Sequence, residues 1–270
     1  MKKIAREVLS GLLVLGLILM GLAGCVDNTV ESNGDDPPEL PPDSSMTMDF
    51  SAFGGGKMAP ATTAPGKNFQ AAAGRVLILD VMVILTLAPP VALFKSAQTA
   101  VPVEQPDGSW DWNYEVQFLG QTYEADLIGE LEGFKTVWSM NVTNLNRPIP
   151  LNYFEWYYGE AALNNMSGEW HFFDPATPDE QNEVAVIEWE IENNGDGQIK
   201  YTNTNERGVN VGDTLSYSVS GTTATIVFYN ASENMVADIE WDLIDRHGSI
   251  KVPDYNGGNR AFWDENQQDM

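Results

Sequence analysis

The sequence predicts a mainly β protein, an antiparallel meander of about ten strands forming an open or closed barrel-like sheet around one long apolar N-terminal helix. Two observations support this fold class. Residues 76–94, "VLILDVMVILTLAPPVALF", form a nearly continuous apolar run of helical length. From residue 101 onward, apolar and polar residues alternate with a period of two, and turn residues separate the alternating runs. No helical pattern interrupts them, which is typical of an up-and-down sheet, a barrel or a sandwich.

The alternation is clearest in the segment "SWDWNYEVQF", where aromatic and aliphatic residues occupy every second position. Such a segment is expected to be a half-buried antiparallel strand. Further alternating runs are "QTYEADLIG", "FKTVWSMNV", "EVAVIEWEIE", "DTLSYSVSGTTATIVFYN" and "VADIEWDLIDRHGSIKV". We therefore assign residues 101–270 to the sheet and expect it to form one domain with the helix.

The N-terminus has the pattern of an export signal. Basic residues at positions 2, 3 and 6 precede an apolar stretch over 9–22. The signal ends in Leu22-Ala23-Gly24-Cys25, which resembles the lipobox of bacterial lipoproteins. That resemblance covers the signal only. It implies that residues 1–24 are removed between Gly24 and Cys25, and that the Cys25 thiol carries a diacylglycerol.

The lipobox predicts an extracytoplasmic protein that is lipid-anchored to the bacterial cell envelope. Each buried CH₂ group contributes about 0.8 kcal/mol, so two or three acyl chains attach a protein stably to a bilayer. Val26 follows the cysteine where enterobacteria-like systems place Asp to retain a lipoprotein in the inner membrane, and this favours the outer membrane. Because Cys25 is the chain's single cysteine, no intrachain disulfide can form.

Residues 25–66 are rich in Pro, Asp, Ser, Gly and Ala, which predicts a disordered, acidic tether. The segment 46–53, "MTMDFSAF", is the exception, because its Met and Phe residues could dock on the domain.

Residues 67–100 are assigned to the apolar helix, and three interpretations of the run 76–94 compete. It could be a second membrane span, a buried central helix, or a mobile helix that plugs an apolar cavity. Asp80 and the Pro89-Pro90 pair count against a span. A helix that is apolar all round must be enclosed on all sides, and the aromatic strands offer partners. A fixed central helix would need a partner for Asp80.

This arrangement resembles the half-barrel of lipoprotein-localisation factors and of related mycobacterial lipid-carrier lipoproteins. In those families an open antiparallel sheet wraps helices around a cavity for acyl chains. The resemblance is one of architecture and involves no shared motif. It implies an apolar, lipid-like ligand.

The net charge of −25 excludes nucleic acid as a partner. No catalytic motif, metal set or cofactor motif is apparent. The two histidines, His171 and His247, lie far apart in sequence. The pair Glu188 and Glu190 is typical of a solvated strand face. The segment "ENNGDGQI" resembles a calcium loop, but Asn203 stands where its final Glu should be.

The sequence therefore predicts a non-catalytic envelope lipoprotein that binds an apolar ligand or serves as a structural envelope component. The alternative is a carbohydrate- or protein-binding surface adhesin that uses exposed aromatic residues. Trp156, in the two-sided aromatic run "NYFEWYYG", is the best candidate for such a residue. Asp80 and Trp156 are the candidate ligand-binding residues, and the pattern does not predict an oligomeric state.

Overall fold

The computed structural model describes residues 36–53, 64–208 and 210–270. One antiparallel sheet of 13 strands dominates the described part, and every strand pairs with its neighbour in sequence. The strands are β1 (Val103–Glu104), β2 (Trp110–Phe118), β3 (Gln121–Glu132), β4 (Lys135–Asn144), β5 (Leu151–Ala162), β6 (Ser167–Phe173), β7 (Glu183–Ile191), β8 (Gly197–Asn203), β9 (Thr214–Ser220), β10 (Thr223–Asn230), β11 (Met235–Asp242), β12 (Gly248–Lys251) and β13 (Ala261–Trp263). The mainly β antiparallel meander is thus confirmed. The first and last of these strands do not pair, so the sheet is open.

Alternation gives the sheet two chemically different faces. Along β7, Ala185, Ile187 and Trp189 are buried, while Glu188 and Glu190, on either side of Trp189, are exposed. The same two-residue period recurs along β3 and β11. We call the buried side the inner face and the charged side the outer face.

Tryptophan and glycine are paired across strands on the inner face. In each pair a Cβ on the glycine would collide with the indole ring, so only a residue without a side chain fits beside the ring. The direct cross-strand pairs are Gly129 with Trp138, Gly159 with Trp170, Gly168 with Trp189, and Gly248 with Trp263.

Helix α1 (Lys67–Ala97) packs against the inner face. It contacts β2 and β3 near one edge of the sheet and β12 and β13 at the other. The Tyr114 hydroxyl donates a hydrogen bond to the Leu93 carbonyl at 2.8 Å, and Phe94 meets the Trp170 ring with centroids 5.7 Å apart. Both edges of the sheet therefore contact the same helix.

Helix α1 is bent, and one of its sides is exposed. Its segments Lys67–Val81 and Thr86–Ala97 are inclined by 65°. Pro89 and Pro90 lie one turn beyond the bend, where they remove two backbone donors and their rings press on the preceding turn. No single helix in the described ranges is long and apolar enough to cross a bilayer. The two segments of α1 taken together would be long and apolar enough, judged by length and composition alone.

The expectation of a helix enclosed on all sides is wrong. Leu77 and Ile78 are 60% and 71% exposed, while Val76 and Leu79 on the opposite side are buried. The physical reason is the geometry of an open sheet. It covers one side of the helix, and the side that faces away has no strand to pack against.

The prediction of a disordered tether over 25–66 is wrong for residues 36–45, and the predicted docking of 46–53 on the domain is confirmed. Met46 and Phe50 are buried in the core, and Phe50 contacts Tyr217 edge to face at 6.0 Å. The Trp170 indole N–H donates to the Ser45 hydroxyl at 3.2 Å. These few apolar side chains provide enough burial to order a Pro-rich segment, whose backbone loses little entropy. Residues 25–35 and 54–63 of the predicted tether lie outside the described residues.

The C-terminal tail is hydrogen-bonded to residues at the start of α1. The Gly66 N–H donates to the Gln267 carbonyl at 2.7 Å, and the Asn68 N–H donates to the Asp269 carboxylate at 2.8 Å. A carboxylate at a helix N-terminus also complements the helix dipole. The two ends of the described domain are thereby joined.

Candidate apolar-ligand pocket

A pocket of about 460 Å³ lies beside the bend of α1. Thr86 and Pro89 supply its helical wall. The ends of several strands and the loops next to them supply the rest. Its other lining residues are Phe118, Leu119, Gln121, Tyr123, Arg147, Trp156, Phe172, Phe173, Asp174, Pro175, Val184, Tyr201, Asn203 and Asn205. Both the volume and the aromatic lining are typical of a small-ligand site.

The aromatic wall of the pocket is tightly packed. The Trp156 ring lies 5.6 Å from the Tyr123 ring and 6.4 Å from the Phe154 ring, both in tilted contact. A β-bulge between β4 and β5 places Trp156 there, because the extra residue turns consecutive side chains to the same side. Rigid aromatic rings of this kind offer a preformed apolar surface.

Polar side chains also line the pocket, and most of them already have partners. Tyr201 is hydrogen-bonded to Thr86, and burial raises the pKa of the Tyr201 hydroxyl. The Asp174 carboxylate accepts the Ala176 N–H at 2.8 Å. Arg147, in the loop between β4 and β5, differs because one of its donor atoms has no partner. Its Nη1 atom is fully buried and has no hydrogen-bond partner among the described residues.

A larger depression, of about 730 Å³, lies on the outer face. Two of its carboxylates pair with lysines, Glu160 with Lys135 at 2.5 Å and Glu188 with Lys200 at 2.7 Å. Glu169 and Glu190 add further negative charge. We regard this depression as a solvated surface groove, because its charged side chains are partly or fully exposed.

The two candidate ligand residues occupy different surroundings. Trp156 is 4% exposed and lines the pocket, so it is not the exposed aromatic that a surface adhesin would need. Asp80 lies on α1 just before the bend, partly buried, and burial raises the pKa of its carboxyl. It forms no hydrogen bond or ion pair within the described ranges. Gly24 and Cys25 lie outside the described residues.

Sequence reasoning missed Arg147. A signal was present, because Arg147 is the single Lys or Arg between residues 136 and 199 of a strongly acidic chain, within the loop "NLNRPIP".

The other titratable residues singled out from the sequence have structural partners. His171 stacks on Tyr158 with centroids 4.6 Å apart, and its Nδ1 lies 2.7 Å from the Glu183 carboxylate. His247 sits in the turn before β12, and its hydrogen bond with Asp245 raises the pKa of the imidazole. The two histidines therefore share no site.

The calcium-like segment is a turn between β7 and β8. The Glu192 N–H donates to the Asp196 carbonyl at 2.7 Å, and the Asp196 carboxylate accepts the Gly221 N–H at 2.8 Å. In the described ranges no group of three or more His, Cys, Asp or Glu residues is placed to hold a metal ion. Nothing in the described part of the chain indicates catalysis.

No protein-family model, no curated protein and no solved structure matches this chain.

Proposed function

We propose that this protein is a membrane-anchored envelope lipoprotein that binds an apolar, lipid-like ligand and catalyses no reaction. The observation that supports this most is the aromatic pocket of about 460 Å³ beside the bend of α1. A pocket lined by rings and by few unpaired polar groups favours an apolar ligand over a sugar or a nucleotide.

The proposed architecture is a half-barrel whose sheet curls around the apolar helix. Thirteen strands spaced by about 4.8 Å would span about 58 Å if the sheet were flat. A helix lying across a flat sheet would contact the middle strands, whereas the main contacts of α1 are with strands near the two edges, which favours a curled sheet. The bend of α1 then leaves space between helix and sheet, and that space is the pocket.

The proposed location is the extracytoplasmic side of the bacterial cell envelope, on the outer membrane, with Cys25 as the lipid attachment site. Mutating Cys25 to Ala should release the protein from membranes into the soluble fraction. If a Cys25→Ala variant that also lacks residues 1–24 remained membrane-bound, the apolar run at 76–94 would have to be the anchor.

Ligand binding can be tested with the uncharged fluorophore N-phenyl-1-naphthylamine, whose emission rises in apolar surroundings. We expect saturable binding to the wild-type protein. Asn205→Trp, at the edge of the pocket, should weaken binding at least about tenfold, because the new ring occupies the ligand volume.

Asn194→Trp provides a matched control. Asn205 and Asn194 each accept a backbone N–H two residues ahead, at 3.0 and 2.9 Å, so both variants lose the same local hydrogen bond. Asn194 lies outside the pocket. Equal binding by the two variants would refute the pocket as the binding site.

The surface-adhesin alternative lacks a supporting observation. Seven of the eight tryptophans are buried and Trp110 is half-buried, so no row of exposed indole rings is available to stack on sugars. A structural envelope role would be favoured if no apolar probe bound.

A further inference from the structure

We propose that the pocket is specific for amphiphiles with an anionic head group, a carboxylate or a phosphate, and that Arg147 binds that head group. This inference rests on the proposed ligand-binding function and adds the chemical class of the ligand. The acyl chain would lie along the aromatic wall, and the head group would lie at the Arg147 end of the pocket.

The first support is the unpaired guanidinium. A buried donor without a partner carries a desolvation cost, and such groups in native proteins call for an explanation. Arg147 Nη1 is one of these, and no ion pair in the described ranges includes Arg147. Nη1 itself has no exposed surface, so a ligand would reach the guanidinium through its other nitrogens, on the side where Arg147 lines the pocket.

The second support is the chemistry of arginine. The planar guanidinium presents a fork of donors that matches the two oxygens of a carboxylate or phosphate, and these charge-assisted hydrogen bonds are strong. A neutral alcohol or ester offers one acceptor at a time and no charge. The pocket should therefore distinguish head groups more sharply than chain lengths.

The third support is that Arg147 is the one cationic side chain among the lining residues of the pocket. The lining also includes one carboxylate, Asp174, whose Oδ1 accepts the Ala176 N–H. The chain as a whole carries a net charge of −25, which repels anions from most of its surface. A preference for an anionic ligand would then have to come from Arg147, because the electrostatic field of the whole chain opposes it.

The experiment is displacement of N-phenyl-1-naphthylamine by dodecanoate, dodecyl phosphate and dodecanol, all below their micellar concentrations, in 0.15 M salt. For the wild-type protein we expect dodecanoate and dodecyl phosphate to bind at least about tenfold more tightly than dodecanol. Inorganic phosphate alone should not displace the probe, because it lacks the chain.

Two variants assign the effect to Arg147. Arg147→Met should bring the affinity for dodecanoate to that for dodecanol while leaving dodecanol unchanged. Lys251→Met removes one charge from the outer face, where Lys251 is exposed, and should leave the tenfold preference intact. Arg147→Met should also keep or raise the melting temperature, since a donor without a protein partner is removed.

The outcomes separate the two proposals. If none of the three amphiphiles displaces the probe, or if the probe itself does not bind, the proposed ligand-binding function fails. If all three bind equally in the wild-type protein, or if Arg147→Met keeps the preference, only the head-group inference is overturned. A large drop in melting temperature for Arg147→Met would likewise overturn it, by assigning Arg147 a structural role.

Discussion

The inner and outer faces of the sheet are built from the same strands but on different principles. The inner face packs large rings beside glycines, and its residues have almost no exposed surface. The outer face carries rows of charged residues that pair across strands, such as Lys200 with Glu188 at 2.7 Å. Stability should therefore depend on the shape of side chains on the inner face and on charge on the outer face.

The largest difference is expected for two neighbours on β13. Trp263 is fully buried, and its ring centroid lies 5.7 Å from that of Phe69. Its indole N–H donates to the Arg246 carbonyl at 2.8 Å. Phe262 points to the outer face and is 45% exposed. Trp263→Ala should lower the free energy of unfolding by about 3–5 kcal/mol, and Phe262→Ala by about 1 kcal/mol or less. Urea denaturation measures both, and equal costs would contradict the distinction between the faces.

The second difference concerns glycine on the inner face. A Cβ at Gly159 would collide with the Trp170 ring and with the Glu169 carbonyl. Gly159→Ala should therefore cost about 1–3 kcal/mol of stability through overpacking. Thermal unfolding followed by near-ultraviolet circular dichroism would detect it.

Gly74 on α1 is the control for that substitution, because no atom lies within 4 Å of the position of its added Cβ. Gly74→Ala should instead stabilise the protein by about 0.5–1 kcal/mol, since Ala loses less conformational freedom in a helix. A loss of stability at both positions would mean that the Trp–Gly pairing is not the cause.

A third difference should appear at alkaline pH. Burial on the inner face raises the pKa of the Tyr217 hydroxyl to about 12, whereas a tyrosine in an unfolded chain ionises near pH 10. Between those values the unfolded chain has lost the proton and the folded protein has kept it, so stability falls as pH rises. Tyr217→Phe should flatten that fall by at most about 1 kcal/mol per pH unit. Chemical denaturation at pH 9, 10 and 11 measures the slopes, and identical slopes would be inconsistent with burial as the cause.

The smallest effect is expected on the outer face. Glu160, Glu169 and Glu188 are direct cross-strand neighbours on β5, β6 and β7, and like charges in that position repel. Glu169→Gln should raise stability by about 0.2–0.5 kcal/mol in low salt at pH 8, and the gain should vanish in 1 M salt. A gain that persists in high salt would rule out charge repulsion as its source.

The alternation of residues predicts most of the sheet, because a two-residue period is a local property of each strand. It places Trp189 on the buried side and Glu188 on the exposed side without any knowledge of the partner strand. It does not predict the short strands β1 and β13, which have two and three residues, too few to display a period.

The features that form the candidate site were harder to predict because they depend on distant contacts. The Met and Phe residues of 46–53 indicate docking, but the surface on β9 that Phe50 contacts lies more than 150 residues later. The bend of α1 precedes its prolines by a turn, and the resulting gap exists only once both edges of the sheet contact the helix. Arg147 becomes a candidate through its missing partner, which no sequence pattern records.

The central claim is that the inner face holds an apolar ligand beside the bend of α1. Native mass spectrometry of the full-length protein, purified from its own source without denaturation, tests this most directly. We predict a non-covalent adduct of lipid-like mass on the wild-type protein and on Asn194→Trp, lost on denaturation and reduced in Asn205→Trp. An adduct-free wild-type protein, or equal adducts on both tryptophan variants, would contradict the account.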